Sequence, residues 1–106
     1  MKNTIIEISQ VKYVEFINNE IFIHFNNNLD EPKQIKLCSV FAFVFKGDIY
    51  SAKYINIRSD TSYCLDIKGR ICLDDDLPLF EMLLLGASSE DVIPFRVVAS
   101  SYELYE

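Results

Sequence analysis

The sequence predicts a single α+β domain over residues 1–106 that is mainly β. We expect an antiparallel sheet of about six or seven strands, of sandwich or barrel form, with one helix at about 77–85 packed on it. β-branched and aromatic runs, separated by turn-forming residues, fill the first two-thirds of the chain. One later segment carries the end signals of a helix. A length of 106 residues, half of them apolar and a quarter charged, fits one compact domain.

A β-hairpin is predicted where segments 11–17 and 20–25 flank Asn18 and Asn19. Asparagine tolerates the left-handed backbone that a two-residue hairpin turn requires. This turn places Phe16 opposite Ile21 and fixes the rest of the register. Residues 4–8 form a separate strand or extend the first one. One face of the hairpin is apolar (Val14, Phe16, Ile21, Ile23, Phe25) and the other is mixed (Tyr13, Glu15, Phe22, His24).

The segment 35–45 is the most apolar part of the chain and follows a predicted loop at 26–34. Neither of its sides is polar, which predicts a central strand that is covered on both faces. Gly47 and Asp48 then supply a turn. We expect the next segment, 49–57, to return as the antiparallel partner of this strand.

A second hairpin is predicted over residues 62–74. A three-residue loop that ends at Gly69, with this glycine in a left-handed bulge position, separates an apolar face from a polar one. In this register Asp66 lies opposite Arg70, and Cys64 lies opposite Cys72.

The helix is predicted at about 77–85. Pro78 suits the first turn, where its missing N–H has no helical partner, and Gly86 is placed to end the helix. Leu79, Met82 and Leu83 follow the 3-4 spacing of a buried helical stripe. Ser88 to Asp91 has the pattern of a capping box, and residues 94–105 close the chain as a strand.

Charge is distributed unevenly along the chain, whose formal net charge is −6. Residues 1–69 hold eight basic and eight acidic side chains, whereas residues 70–106 hold two basic and eight acidic ones, so the last third carries the whole imbalance. Direct nucleic-acid binding needs clustered Lys and Arg and is therefore not expected. An acidic surface of this kind attracts a basic protein.

Several chemistries are excluded by the absence of their motifs. The three cysteines form no C-x-x-C pair, which argues against a zinc site and a disulfide scaffold and favours a reducing compartment. There is no glycine-rich phosphate loop and no nucleophile elbow, so we expect no cofactor and no enzymatic activity. The start lacks an apolar signal region, and segment 77–98 is too interrupted to span a membrane. The sequence predicts a cytoplasmic protein.

Two groups of residues have more than one possible role. The sole histidine, His24, would act as a base beside Glu15 or Glu20, but a sheet-face histidine without a catalytic role is favoured. Asp74, Asp75 and Asp76 lack the spacing of a calcium loop. They either cap the helix that follows or belong to an acidic surface that meets a basic partner.

The composition favours an acidic protein-binding inhibitor, such as a toxin-neutralising immunity protein that occludes a basic, nucleic-acid-handling partner, for example a nuclease toxin. The alternatives are a structural or assembly subunit that forms a homodimer, and a small ligand-binding domain or enzyme that uses His24. The residues predicted to bind the partner are carboxylates and tyrosines of the last third: Asp74, Asp75, Asp76, Glu81, Glu90, Asp91, Tyr102, Glu103, Tyr105 and Glu106.

Overall fold

The computed structural model describes residues 3–71, 78–87 and 92–105, which form a closed six-stranded barrel. The predicted mainly β antiparallel architecture with one helix is confirmed, although the helix lies elsewhere in the chain. The strands are β1 (Asn3–Ile17), β2 (Glu20–Asn27), β3 (Pro32–Phe45), β4 (Tyr54–Ser59), β5 (Phe80–Leu85) and β6 (Val92–Tyr105). The described residues also form helix α1 (Ser62–Ile71) and one 3-10 turn (Ile49–Ser51).

The barrel consists of two three-stranded meanders. The strand order is β1-β2-β3-β6-β5-β4, and all neighbouring strands are antiparallel. The β3–β6 and β1–β4 pairs join the two meanders. Strand β1 pairs with β4 through residues 3–7 and with β2 through residues 8–17, so residues 4–8 extend the first strand.

Apolar side chains from all six strands fill the barrel interior. The 3-10 turn adds Ile49, and Ala52 follows it into the same core. In the described part of the chain the interior is therefore a packed core. Its buried members are Ile8, Val11, Ile21, Ile23, Phe25, Ile35, Leu37, Ile49, Ala52, Ile55, Ile57, Met82, Leu84, Ile93, Phe95, Val97 and Ala99.

The first hairpin forms in the predicted register. Asn18 and Asn19 have φ angles of 49° and 63°, which is the left-handed backbone of a two-residue turn. Phe16 lies opposite Ile21 as expected. Ile21, Ile23 and Phe25 point into the core, whereas Phe16 lies half-exposed at the end of the barrel against Phe43.

The prediction for the central strand was only half right. Strand β3 begins already at Pro32, so the loop expected at 26–34 is reduced to a tight turn in which the Asn27 N–H donates to the Glu31 carbonyl at 2.9 Å. Ile35 is buried, but Phe43 and Phe45 are half-exposed. The pairing with β2 ends at Leu37, and the later residues of β3 therefore extend past that neighbour.

The partner predicted for β3 was wrong. Gly47 does turn the chain, with φ at 79°, but β4 pairs with β1 and β5. Both edges of β3 are taken by β2 and β6, which leaves no place for a returning strand. The residues between β3 and β4 instead place Ile49 and Ala52 in the core.

The second predicted hairpin is helix α1. Thr61 caps it, since its Oγ1 accepts a hydrogen bond from the Cys64 N–H at 3.2 Å. Asp66 and Arg70 do form an ion pair, at 3.1 Å, but as neighbours one helical turn apart. Gly69 does not have a left-handed backbone. Cys72 lies outside the described residues.

The helix predicted at 77–85 was also wrong, because residues 80–85 form strand β5 between β4 and β6. Met82 and Leu84 point into the barrel core. Glu81, Leu83 and Leu85 point to the other face and are also buried. A strand covered on both faces is apolar throughout, and such a run resembles a buried helix in sequence. The expected capping box at 88–91 lies outside the described residues.

The turn of the first hairpin gives a stability prediction. Replacing Asn19 by Ala should lower the free energy of unfolding by about 1–2 kcal/mol, because alanine in the left-handed region is strained. Replacing Asn19 by Gly should not lower it. Asn28, an exposed turn residue without a positive φ angle, provides the control Asn28→Ala. Equal urea-denaturation midpoints for Asn19→Ala and Asn28→Ala would contradict this account of the turn.

Candidate functional site

The outer face of β1, β2, β3 and β6 presents rows of polar and aromatic side chains. Cross-strand pairing aligns Tyr13, His24, Gln34 and Tyr105 in one row and Glu15, Phe22, Lys36 and Glu103 in the next. Glu20 adjoins the second row. We call this surface the four-strand face; its residues are Tyr13, Glu15, Glu20, Phe22, His24, Gln34, Lys36, Glu103 and Tyr105.

Helix α1 leaves the four-strand face uncovered because it packs elsewhere on the barrel. Its buried Cys64 and Ile67 form a second, smaller core with Leu79 and with Val98 of β6. Ala42, from the later part of β3, packs against the same cluster. The helix therefore covers the first half of β6 and the end of β3, whereas the four-strand face lies on the other half of both strands.

His24 is held between a ring and a carboxylate. The Tyr13 ring stacks on the imidazole with centroids 4.1 Å apart and planes 15° from parallel. His24 Nε2 lies 2.6 Å from Glu15 Oε1. Of the two carboxylates considered from the sequence, Glu15 is thus the one in contact with His24.

Lys36 lies between carboxylates. Its Nζ is 3.1 Å from Glu20 Oε2, and Glu103 lies opposite it on β6. The hydrogen bond and charge of Glu20, followed by Cys38 and Glu103, raise the pKa of Lys36 above its ordinary value. Because its pKa is raised, Lys36 is charged at neutral pH. These interactions stabilise the folded state at any pH below the ordinary lysine pKa. The stabilisation is lost only as the pH rises through the raised pKa.

The predicted partner-binding residues that the structure describes do not share one surface. Glu103 and Tyr105 lie on the four-strand face, and the Tyr105 hydroxyl donates to the Glu103 carboxylate. Tyr102 points to the other side, where its ring meets Phe80 edge-on at 5.2 Å. Asp74, Asp75, Asp76, Glu90, Asp91 and Glu106 lie outside the described residues.

Glu81 does not belong to an exposed acidic surface, and here the prediction is corrected. Its side chain is only 2 % exposed. Its Oε1 lies 3.3 Å from Arg58 Nη2, and its Oε2 lies 3.2 Å from Arg96 Nε. A helix would have turned this carboxylate to solvent, whereas β5 places it between arginines of the two neighbouring strands.

The four-strand face also contains residues that the prediction of the partner surface missed. Gln34 and Lys36 alternate with the buried Ile35 and Leu37, which is the pattern of a strand with one polar side. Gln34 was assigned to the predicted loop at 26–34 and Lys36 to a strand without a polar side, so the alternation was not recognised. The mixed side of the first hairpin was recognised, but only the barrel topology places it beside Glu103 and Tyr105.

Nε2 of His24 lies within hydrogen-bond distance of Glu15 Oε1. A cleft beside the start of β6 and another beside the first hairpin turn are lined by other residues. Among residues 3–71, 78–87 and 92–105, no three His, Cys, Asp or Glu side chains are grouped so that they could hold a metal ion. What the face offers is aromatic area beside carboxylates.

No helix within the described residues has both the length and the apolar character needed to cross a membrane.

Comparison with known proteins gave no relative: no protein-family model, curated protein or solved structure matches the chain.

The position of Glu81 predicts a large effect on stability. Replacing Glu81 by Ala should lower the free energy of unfolding by about 1–3 kcal/mol, because Arg58 loses a hydrogen-bond acceptor and both arginines lose the carboxylate with which they pair. The loss should stay below the ~3–5 kcal/mol of a fully buried pair, since both arginine side chains are 36 % exposed and regain water.

Chemical denaturation measures this loss, and Glu103→Ala on the exposed face is the matched control. If the two variants were equally stable, Glu81 would not be the buried partner of Arg58 and Arg96.

Proposed function

We propose that this chain is a protein-binding inhibitor that occludes a basic partner, such as a nuclease toxin, through the four-strand face. The observation that carries the proposal is a sheet surface that helix α1 does not cover, in which tyrosine and histidine rings lie beside carboxylates. In this role the chain acts as an immunity protein and performs no chemistry of its own.

The aromatic residues of the face suit a protein interface. Tyr13 and Tyr105 are each roughly half-exposed, at 49 % and 41 %. Tyrosine offers a large, rigid contact area with few rotatable bonds, and it is enriched among residues that dominate binding energy. The stacking of Tyr13 on His24 fixes the ring before a partner arrives, which lowers the entropic cost of association.

The charges of the face indicate the sign of the partner. The face carries three carboxylates, those of Glu15, Glu20 and Glu103, and one lysine, Lys36, so acidic side chains outnumber basic ones. Carboxylates held in fixed positions form short, strong hydrogen bonds with Arg and Lys. A basic protein surface therefore complements the four-strand face, in agreement with the net charge of −6.

The remaining carboxylates of the last third have a separate role in this proposal. Asp74, Asp75 and Asp76 contribute to the negative field that steers a basic partner toward the molecule. Steering changes the association rate and depends on salt, whereas the tight contacts of the face set the dissociation rate. The two contributions can therefore be measured separately.

Assembly through a second copy is the competing candidate, and a different surface favours it. Phe16, Phe43 and Phe45 form an exposed aromatic cluster at the end of the barrel, with the Phe16 and Phe43 rings 5.1 Å apart. Sedimentation of the free protein distinguishes the two candidates, because the inhibitor needs no self-association.

The binding experiment begins with the basic protein that the chain captures, identified by mass spectrometry or as the product of the neighbouring gene. Tyr13→Ala and Tyr105→Ala should each weaken binding by about tenfold, mainly through faster dissociation. Tyr50→Ala is the matched control, since Tyr50 is at least as exposed, at 57 %, but lies on the 3-10 turn and outside the four-strand face. Kinetics measured on an immobilised partner give both rates.

Replacing Asp74, Asp75 and Asp76 together by Asn should slow association and flatten its salt dependence, with dissociation unchanged. Equal dissociation rates for Tyr13→Ala, Tyr105→Ala and Tyr50→Ala would contradict binding through the four-strand face. An association rate unaffected by the triple change would remove steering from the mechanism.

A further inference from the structure

A second site lies on another part of the barrel surface, beside the start of α1. A cleft of about 230 Å³ opens where β6 begins and β3 ends. Its walls are mostly apolar, and Arg96 contributes the one guanidinium. The lining residues are Val44, Tyr63, Val92, Ile93, Pro94, Phe95 and Arg96.

Arg96 is held in place from two directions. Its Nε lies 3.2 Å from Glu81 Oε2. Its Cζ lies 4.7 Å from the centre of the Tyr63 ring, so the guanidinium also makes a cation–π contact with α1. The ion pair with Glu81 is made through Nε and not through either terminal amino group. The guanidinium is therefore both oriented and still able to donate.

The cluster of Arg58, Glu81 and Arg96 is positive. Within the residues that the structure describes, the two arginines share the one carboxylate of Glu81, so these three side chains carry a net charge of +1. Within the described residues, neither the buried Nε of Arg58 nor the buried Oε2 of Glu81 has a hydrogen-bond partner. One added negative charge would neutralise the three-residue cluster.

We propose that the cleft binds a small monocarboxylate that has an apolar body. The free edge of the Arg96 guanidinium matches the two oxygens of a carboxylate. Val44, Val92 and Pro94 would contact the apolar part of the ligand. The volume lies below the ~300–1,000 Å³ of most drug-sized sites, which limits the ligand to a small organic acid or the end of a single side chain.

A monoanion fits this site better than a phosphate dianion. One charge neutralises the excess of the Arg58–Glu81–Arg96 cluster, whereas a second charge would be desolvated against apolar walls without a partner. An acid with a larger apolar body should also bind more tightly than acetate, because it removes more of the apolar cleft surface from water.

Titration of the ¹⁵N-labelled full chain with benzoate, acetate and phosphate tests the proposal. Benzoate should cause saturable shifts of the amide signals of residues 92–97 and of the Arg96 Nε–H signal. It should bind at least about tenfold more tightly than acetate, and phosphate should give no saturable shift. Absence of saturable shifts with benzoate, or equal saturation with phosphate, would overturn the proposal.

Variants locate the binding in the cleft. Arg96→Gln should weaken benzoate binding by about tenfold or more, whereas Arg70→Gln, on the exposed side of α1, should leave it unchanged. Tyr63→Phe should retain binding, and Tyr63→Leu should weaken it because the cation–π contact is lost.

The amide spectrum of each variant verifies its fold. If Arg96→Gln does not fold, the comparison of Tyr63→Phe with Tyr63→Leu still tests whether benzoate binds in the cleft. Equal affinities of Tyr63→Phe and Tyr63→Leu, or full binding by a folded Arg96→Gln variant, would place the ligand elsewhere and overturn the proposal.

Discussion

Strand β6 is paired with β3 from Phe95 to Tyr105 and with β5 through its first half. This double pairing joins the two meanders and closes the barrel on the side opposite the β1–β4 pair. It allows apolar side chains from all six strands to share one core. Without it, the six strands would form one open sheet, joined through the β1–β4 pair, with β3 and β6 as unpaired edges and a poorly covered apolar face.

The same strand divides the barrel surface into two regions with different surroundings. The first half of β6 lies beneath α1, where Val98 is buried and Arg96 meets Tyr63 and Glu81. The second half continues past β5 and carries Glu103 and Tyr105 beside β3. One region thus holds the buried carboxylate of Glu81 between two partly exposed arginines, and the other carries the exposed Glu103 and Tyr105.

The features that could be predicted from the sequence are those set by neighbouring residues. Asn18 and Asn19 specify the first turn and its register through backbone preference alone, and alternation identifies most of β1, β2 and β6. His24 and Glu15 were placed on one side of the hairpin by the same alternation. Their position beside Glu103 and Tyr105 depends on the β3–β6 pairing, which no local pattern encodes.

The errors arose where local signals fit two structures. Asp66 and Arg70 form an ion pair either across a hairpin or along one helical turn, so their presence does not distinguish the two. Residues 80–85 have helix-favouring side chains, but burial on both faces between β4 and β6 decides for a strand. The helix prediction also placed Glu81 at the surface. Its buried position depends on Arg58 and Arg96, which are distant in sequence.

The central claim is that the four-strand face is the surface that meets the partner. Oxidative footprinting of the complex tests it directly, because Tyr and His side chains lose reactivity when a partner covers them. The account predicts protection of Tyr13, His24 and Tyr105, with Tyr50 as reactive in the complex as in the free protein. Protection of Tyr50, with Tyr13 and Tyr105 unchanged, would contradict it.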